Sequence, residues 1–193
     1  MTDIPKNLQV QLGKVHAEIE SMAGSTSTHE FENHWKRFLS ELRRVWNKTD
    51  ATFKQTTGWC SWQNEYHKVV RGDDLLWYLW EARNTDEHTV QDIAKKKEGF
   101  LGLRAGPTGS AHIRELKIEN GVLKIDGDGS VEVTFRPANV HLLPVKARKG
   151  TVEVPRTHKG ESINPDDILN LARLGATFYE EFVMDAVCRK EES

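Results

Sequence analysis

The last amphipathic segment of the chain constrains its fold most. Ile168, Leu171, Ala172, Leu174, Phe178, Phe182 and Val183 recur at three- and four-residue spacing, so a helix starting at Asn164-Pro165 has one apolar face. A lone helix cannot bury such a stripe, and it must pack against another layer. The block just before it reads as strands, whereas the N-terminal half reads as helices. The natural partner surface is therefore the N-terminal set, reached across the strand block. The predicted fold class is α+β, mainly α: a helical bundle with a β-strand and hairpin insertion before the last helix. Residues 1–193 are read as a single domain, with 1–98 and 164–190 forming the bundle and 110–157 an antiparallel β insertion.

The helical half has clear punctuation. Leu8, Leu12, Val15 and Ile19 form a stripe ending near Gly24. Ser27 followed by Glu30 is a capping-box signature for a second helix. That helix carries Phe31, Trp35, Phe38, Leu39, Leu42, Val45 and Trp46 on one face, and Lys36, Arg37, Arg43 and Arg44 on the other. A third helix is expected from about Trp59 to Val70. Arg71-Gly72-Asp73 breaks it, with Asp73 or Asp74 capping a fourth helix that runs from about Leu75 to Lys97.

After Gly99 the period changes. GLRAGPTGS is loop-like, and the following run to Pro137 alternates polar and apolar residues. Asn120-Gly121 between two such runs signals a hairpin, since both residues tolerate positive φ. The DGDGS stretch from Asp126 is expected to be a second turn. Its ligands and later glutamate are out of register for a calcium loop. Further strands are expected near Val131–Phe135, Val140–Lys146 and Thr151–Val154.

Composition excludes several classes. With 37% hydrophobic and 29% charged residues the chain reads as a polar, soluble protein. Its formal net charge of -2 creates no general attraction for nucleic acid, so any such binding needs a local basic patch. Cys60 and Cys188 make neither a disulfide framework nor a metal spacing, and Cys60 is expected to be buried or inert. No signal-peptide layout and no membrane-length apolar run is visible, so a cytoplasmic setting is expected.

The segment EARNTDEHTVQD, residues 81–92, carries the candidate chemistry. On a helix Asn84 and His88, four residues apart, share a face. Arg83 lies about 140° around from His88, within reach of a shared phosphate-sized target. Asn84 can set the imidazole tautomer, His88 can move a proton, and Arg83 offers a permanently charged fork for phosphate oxygens. These are the parts for metal-independent RNA cleavage: proton removal from a ribose 2′-hydroxyl, attack on the adjacent phosphorus, and charge stabilisation. The alternative structural role pairs Arg83 with Glu87 and leaves His88 at the surface or core edge.

RNTDEH resembles the Arg-Asn-x-x-x-His motif of the HEPN (higher eukaryotes and prokaryotes nucleotide-binding) superfamily, at Arg83, Asn84 and His88 near the middle of a predicted helix. The resemblance covers that motif and the helical layout but not the strand block. It implies an HEPN-like helical bundle and an endoribonuclease of the toxin–antitoxin, defence or RNA-processing type. It also implies a site formed across a homodimer, with RNA as substrate and an antitoxin as a partner if the protein is a toxin. No cofactor and no metal are expected. A homodimer would supply two histidines, serving as base and acid. The runner-up is a non-catalytic protein- or nucleotide-binding module whose strands carry recognition.

Other signals are weaker. Arg136 and His141 repeat the loose spacing, but Pro137 and the flanking strands keep that pair off a helix. Trp77 and Trp80 are expected in the core, and Trp59 and Trp62 at its edge. The basic stretch from Lys146 to Lys159 is read as an exposed hairpin or an aid to RNA binding.

Overall fold

The structure, a computed structural model, describes residues 3–88, 94–97, 100–105, 111–119, 122–129, 131–136, 139–147 and 150–191. They divide into two compact units, one of residues 1–95 with 140–193 and one of residues 96–139. The described elements make the chain mainly helical with small antiparallel strand pairs, the expected α+β class.

Four helices open the first unit: α1 (Lys6–Ala23), α2 (Thr28–Phe53), α3 (Trp59–Gly72) and α4 (Asp74–His88). The α2 start follows the capping prediction with one change. Ser27 Oγ accepts the Glu30 N–H at 3.1 Å, but the Glu30 carboxylate accepts from Thr26 N–H at 2.9 Å rather than from Ser27. Helices α1 and α2 run antiparallel. Asn7 donates to Thr52, Gln11 to the buried Glu41, and His34 Nδ1 lies 2.6 Å from Glu18, so later residues of one meet earlier residues of the other.

The last helix, α5 (Ile168–Glu191), packs on α1, α2 and α4, as its isolated stripe required. Leu171, Ala172, Phe182 and Val183 are fully buried. Phe182 stacks on Trp46 with 4.7 Å between ring centres. Gly175 marks the closest approach, since a Cβ there would fall 2.5 Å from Leu79 Cδ1. Asn164-Pro165 forms a turn ahead of the helix instead of its first residues, and Asp167 caps it by accepting the Asn170 N–H at 3.0 Å.

Short strands flank α4 within this unit. These are β7 (Val145–Ala147) with β8 (Gly150–Val152), and β9 (Thr157–His158) with β10 (Glu161–Ser162). The turn between β9 and β10 has positive φ at Lys159 (51°) and Gly160 (82°), which suits the twist of a two-residue hairpin. The Tyr78 hydroxyl donates to Leu143 O at 2.8 Å and Thr85 Oγ1 to Lys146 O at 3.2 Å, tying α4 to the returning chain. β1 (Ala94–Lys97) pairs with β6 (Asn139–Leu142).

In the second unit β2 (Phe100–Ala105) pairs with β5 (Val131–Arg136), and β3 (Ala111–Glu119) with β4 (Val122–Gly129). Two expectations change here. GLRA of the expected loop belongs to β2, whereas residues 106–110 lie outside the described residues. DGDG is strand, not turn: Gly127 sits opposite Ile113 beside a bulge at Arg114. A Cβ on Gly127 would meet the His112 carbonyl oxygen at 2.1 Å, so this glycine serves close backbone approach. The Asn120-Gly121 turn lies outside the described residues, but Glu119 pairs with Val122 on its two sides.

Candidate functional site

Helix α4 carries the motif, and its first turn is firmly set. Asp73 caps it by accepting the Leu76 N–H at 2.9 Å. The expected helix to Lys97 is shorter than predicted: α4 is described to His88, and residues 94–97 form β1. Residues 89–93, between α4 and β1, lie outside the described residues.

Arg83 and Asn84 are both half-buried, and Arg83 Nη1 donates to Asn84 Oδ1 over a long 3.4 Å. Burial pushes the Glu81 carboxyl above the ordinary carboxylate range, an effect partly offset by a hydrogen bond from Asn84. Asn84 thus links a guanidinium to a carboxyl group. The backbone of His88 lies one turn beyond Asn84; the side chains of Asp86, Glu87 and His88 lie outside the described residues. The Arg83–Glu87 pairing and the orientation of the imidazole fall there too.

The surroundings of Arg83 are close-packed. Leu39, Leu42 and Arg43 of α2, Trp80 of α4 and Tyr179 of α5 line a cavity of about 10 Å³ beside it. That volume accommodates about one water and no nucleotide. Among the described residues, Arg83 stands in an interhelical seam.

The seam includes groups that sequence reasoning did not single out. The Arg43 guanidinium lies 3.8 Å from the Trp80 ring centre, a cation–π contact. The His67 ring is 4.5 Å from Trp46 and 5.6 Å from Trp80. Burial, then the charges of Arg71 and Arg43, hold its imidazole below the ordinary histidine range, favouring the neutral form. Periodicity marks Trp46 and Trp80 as apolar, but nothing local indicates that a histidine from α3 meets both.

Cys60, expected to be buried or inert, is exposed, because it occupies the solvent side of α3 between the inward-facing Trp59 and Trp62. Those two tryptophans are core residues, 3% and 6% exposed. Their indole N–H groups donate to Asp50 at 2.8 Å and Asp185 at 3.0 Å. Arg136 ends β5 and His141 lies in β6, so the second copy of the loose spacing is not helical. Among the described residues no group of three His, Cys, Asp or Glu side chains is arranged to hold a metal, and no helix is long and apolar enough to cross a membrane.

Fold and site together define a mainly α, α+β protein whose Arg-Asn pair lies on a helix packed between the bundle and its short strands. In comparisons with known proteins no family model, no curated protein and no solved structure matches this chain.

Proposed function

We propose that the chain is an HEPN-like, metal-independent endoribonuclease that acts as a homodimer in the cytoplasm. His88 takes the proton from a ribose 2′-hydroxyl, the freed oxygen attacks the adjacent phosphorus, and the 5′-oxygen leaves to give a 2′,3′-cyclic phosphate end. Arg83 stabilises charge on the phosphoryl oxygens and Asn84 orients the imidazole. The observation that carries this reading is the Arg83–Asn84 hydrogen bond on α4, with the His88 backbone one turn beyond Asn84. The cavity beside Arg83 among the described residues is small, and in this reading a second copy meeting α4 at the motif completes a nucleotide-sized site. In a toxin–antitoxin setting the antitoxin would cover the motif.

The test is cleavage of a mixed-sequence RNA in excess chelator. The parent should release cyclic-phosphate ends, and Arg83→Ala and His88→Ala should each slow it by about a hundredfold or more while remaining folded. Parent protein that cleaves no RNA, or variants as active as the parent, would overturn the proposal.

A second reading, a non-catalytic protein- or nucleotide-binding module, is favoured by the packing of Arg83 against Leu39, Leu42 and Tyr179. It requires Arg83→Ala to lower stability while His88→Ala changes nothing measurable.

A further inference from the structure

At the other end of α4 lies a groove of about 650 Å³, contained within the helical unit. The α3–α4 junction, the extended 152–156 stretch and the Pro165 turn enclose it. Leu142, Val154 and Pro155 supply apolar wall, with Trp77 beside them. The volume lies within the range of small-molecule sites, roughly 300–1,000 Å³.

The charged groups of the groove differ in what they already bind. Asp73 accepts from Leu76 N–H at 2.9 Å and Lys159 N–H at 2.7 Å, and His158 Nδ1 lies 3.0 Å away. Asp74 accepts the Thr157 hydroxyl at 2.6 Å, and Asp166 lies 2.8 Å from His141 Nδ1. These three carboxylates are engaged by the protein. The Arg71 and Arg156 side chains are exposed and make no hydrogen bond or ion pair among the described residues. The charged lining side chains without a partner among the described residues are thus the two guanidiniums and the exposed Glu153.

Trp77 adds a second, independent feature. Trp35, Trp46, Trp59, Trp62 and Trp80 each have an aromatic ring neighbour, at 4.5–5.5 Å for their nearest ring. Trp77 alone among the described tryptophans has none, and its half-buried ring borders the groove. A tryptophan face without a ring partner, beside two unpaired guanidinium forks, suits a flat heterocycle that carries a phosphate.

We infer that this groove binds the phosphate ester of a nucleoside, with the base against Trp77, the phosphate held by Arg71 and Arg156, and Glu153 accepting from a ribose hydroxyl or an amino group. The same chemistry is presented by a free mononucleotide and by the phosphorylated end of a nucleic-acid strand. The inference does not rest on RNA cleavage, since no group at Arg83 takes part.

Calorimetry and tryptophan fluorescence on the intact chain would test it, with adenosine 5′-monophosphate, adenosine and inorganic phosphate as separate probes. The nucleotide should bind once per chain and quench fluorescence, while adenosine and phosphate each bind at least about tenfold more weakly. Arg71→Ala and Arg156→Ala, both at exposed positions, should each weaken the nucleotide by about tenfold and leave the thermal melt in place. Because Arg71 is one of the charges holding the His67 imidazole down, bound phosphate should raise the titration midpoint of His67 in a histidine NMR spectrum. A 5′-phosphorylated tetranucleotide binding more tightly than both its 5′-hydroxyl counterpart and the mononucleotide would assign the site to strand ends. Tighter mononucleotide binding would assign it to the free ligand. The inference falls if neither phosphorylated probe binds saturably, or if the Arg71→Ala/Arg156→Ala double variant binds as the parent does.

Discussion

Asp73 joins two parts of the chain that are far apart in sequence, and replacing it by alanine gives the sharpest energetic test of the helical unit. Its carboxylate caps α4 through Leu76 N–H, accepts Lys159 N–H from the β9–β10 turn, and meets His158, whose side chain is 7% exposed. Loss of the cap is worth about 1 kcal/mol. The Lys159 N–H is exposed and regains water, so its loss adds little. His158 is buried and loses its carboxylate partner, which costs roughly 1–3 kcal/mol. Asp73→Ala should therefore destabilise the protein by about 3 kcal/mol, which for a chain of this size lowers the melting temperature by roughly 6–12 °C. Asp73→Asn, which keeps a capping acceptor, should lose about half as much. Burial alone would push the Asp73 carboxyl up, but the N–H groups of Lys159 and Leu76, with His158, pull it below the ordinary carboxylate range. For a carboxyl depressed in the folded state, the linked stabilisation is present above its unfolded value, about 3.9, and is lost as pH falls through the folded value. The gap between parent and Asp73→Ala in urea denaturation should thus be widest near neutrality and narrow below about pH 4. A gap under about 1 kcal/mol at pH 7, or one as wide at pH 3, would refute this account.

Three further outcomes follow from the packing. His67 is depressed, so the unfolded chain takes up a proton first as pH falls below about 6.5 and stability drops there; His67→Phe should remove that part of the acid sensitivity in melts between pH 5 and 7. Gly175→Val places methyl groups against Leu79, Leu42 and Phe38 and should cost about 3 kcal/mol in chemical denaturation; a loss below about 1 kcal/mol would show that α5 has room there. Gly127→Ala should disrupt the β3–β4 ladder at His112, seen as lost amide protection in residues 111–129, while the α1–α2 amides stay protected.

Much of the helical unit is legible in the sequence because a helix is written in local spacing. Leu8, Leu12, Val15 and Ile19 are all buried, and Ser27 and Asp73 cap the helices they precede. DGDG misleads for the opposite reason. Glycine and aspartate suggest a turn locally, but pairing with the His112–Ile113 backbone makes them strand. The β9–β10 hairpin has only Lys159-Gly160 as its local sign, and its anchor, Asp73, lies 86 residues away.

The candidate site divides in the same way. Chain chemistry alone determined that Arg83 and Asn84 are adjacent on a helix and that α5 must pack back onto the N-terminal helices, since covalent order and the 3.6-residue period set both. Tertiary structure alone decided that Arg83 lies beside Arg43 and Tyr179, that His67 stands between two tryptophans, and that Trp77 borders a groove with Arg71 and Arg156. Those neighbours come from different elements, and the close packing of the helical unit selects which side chains meet.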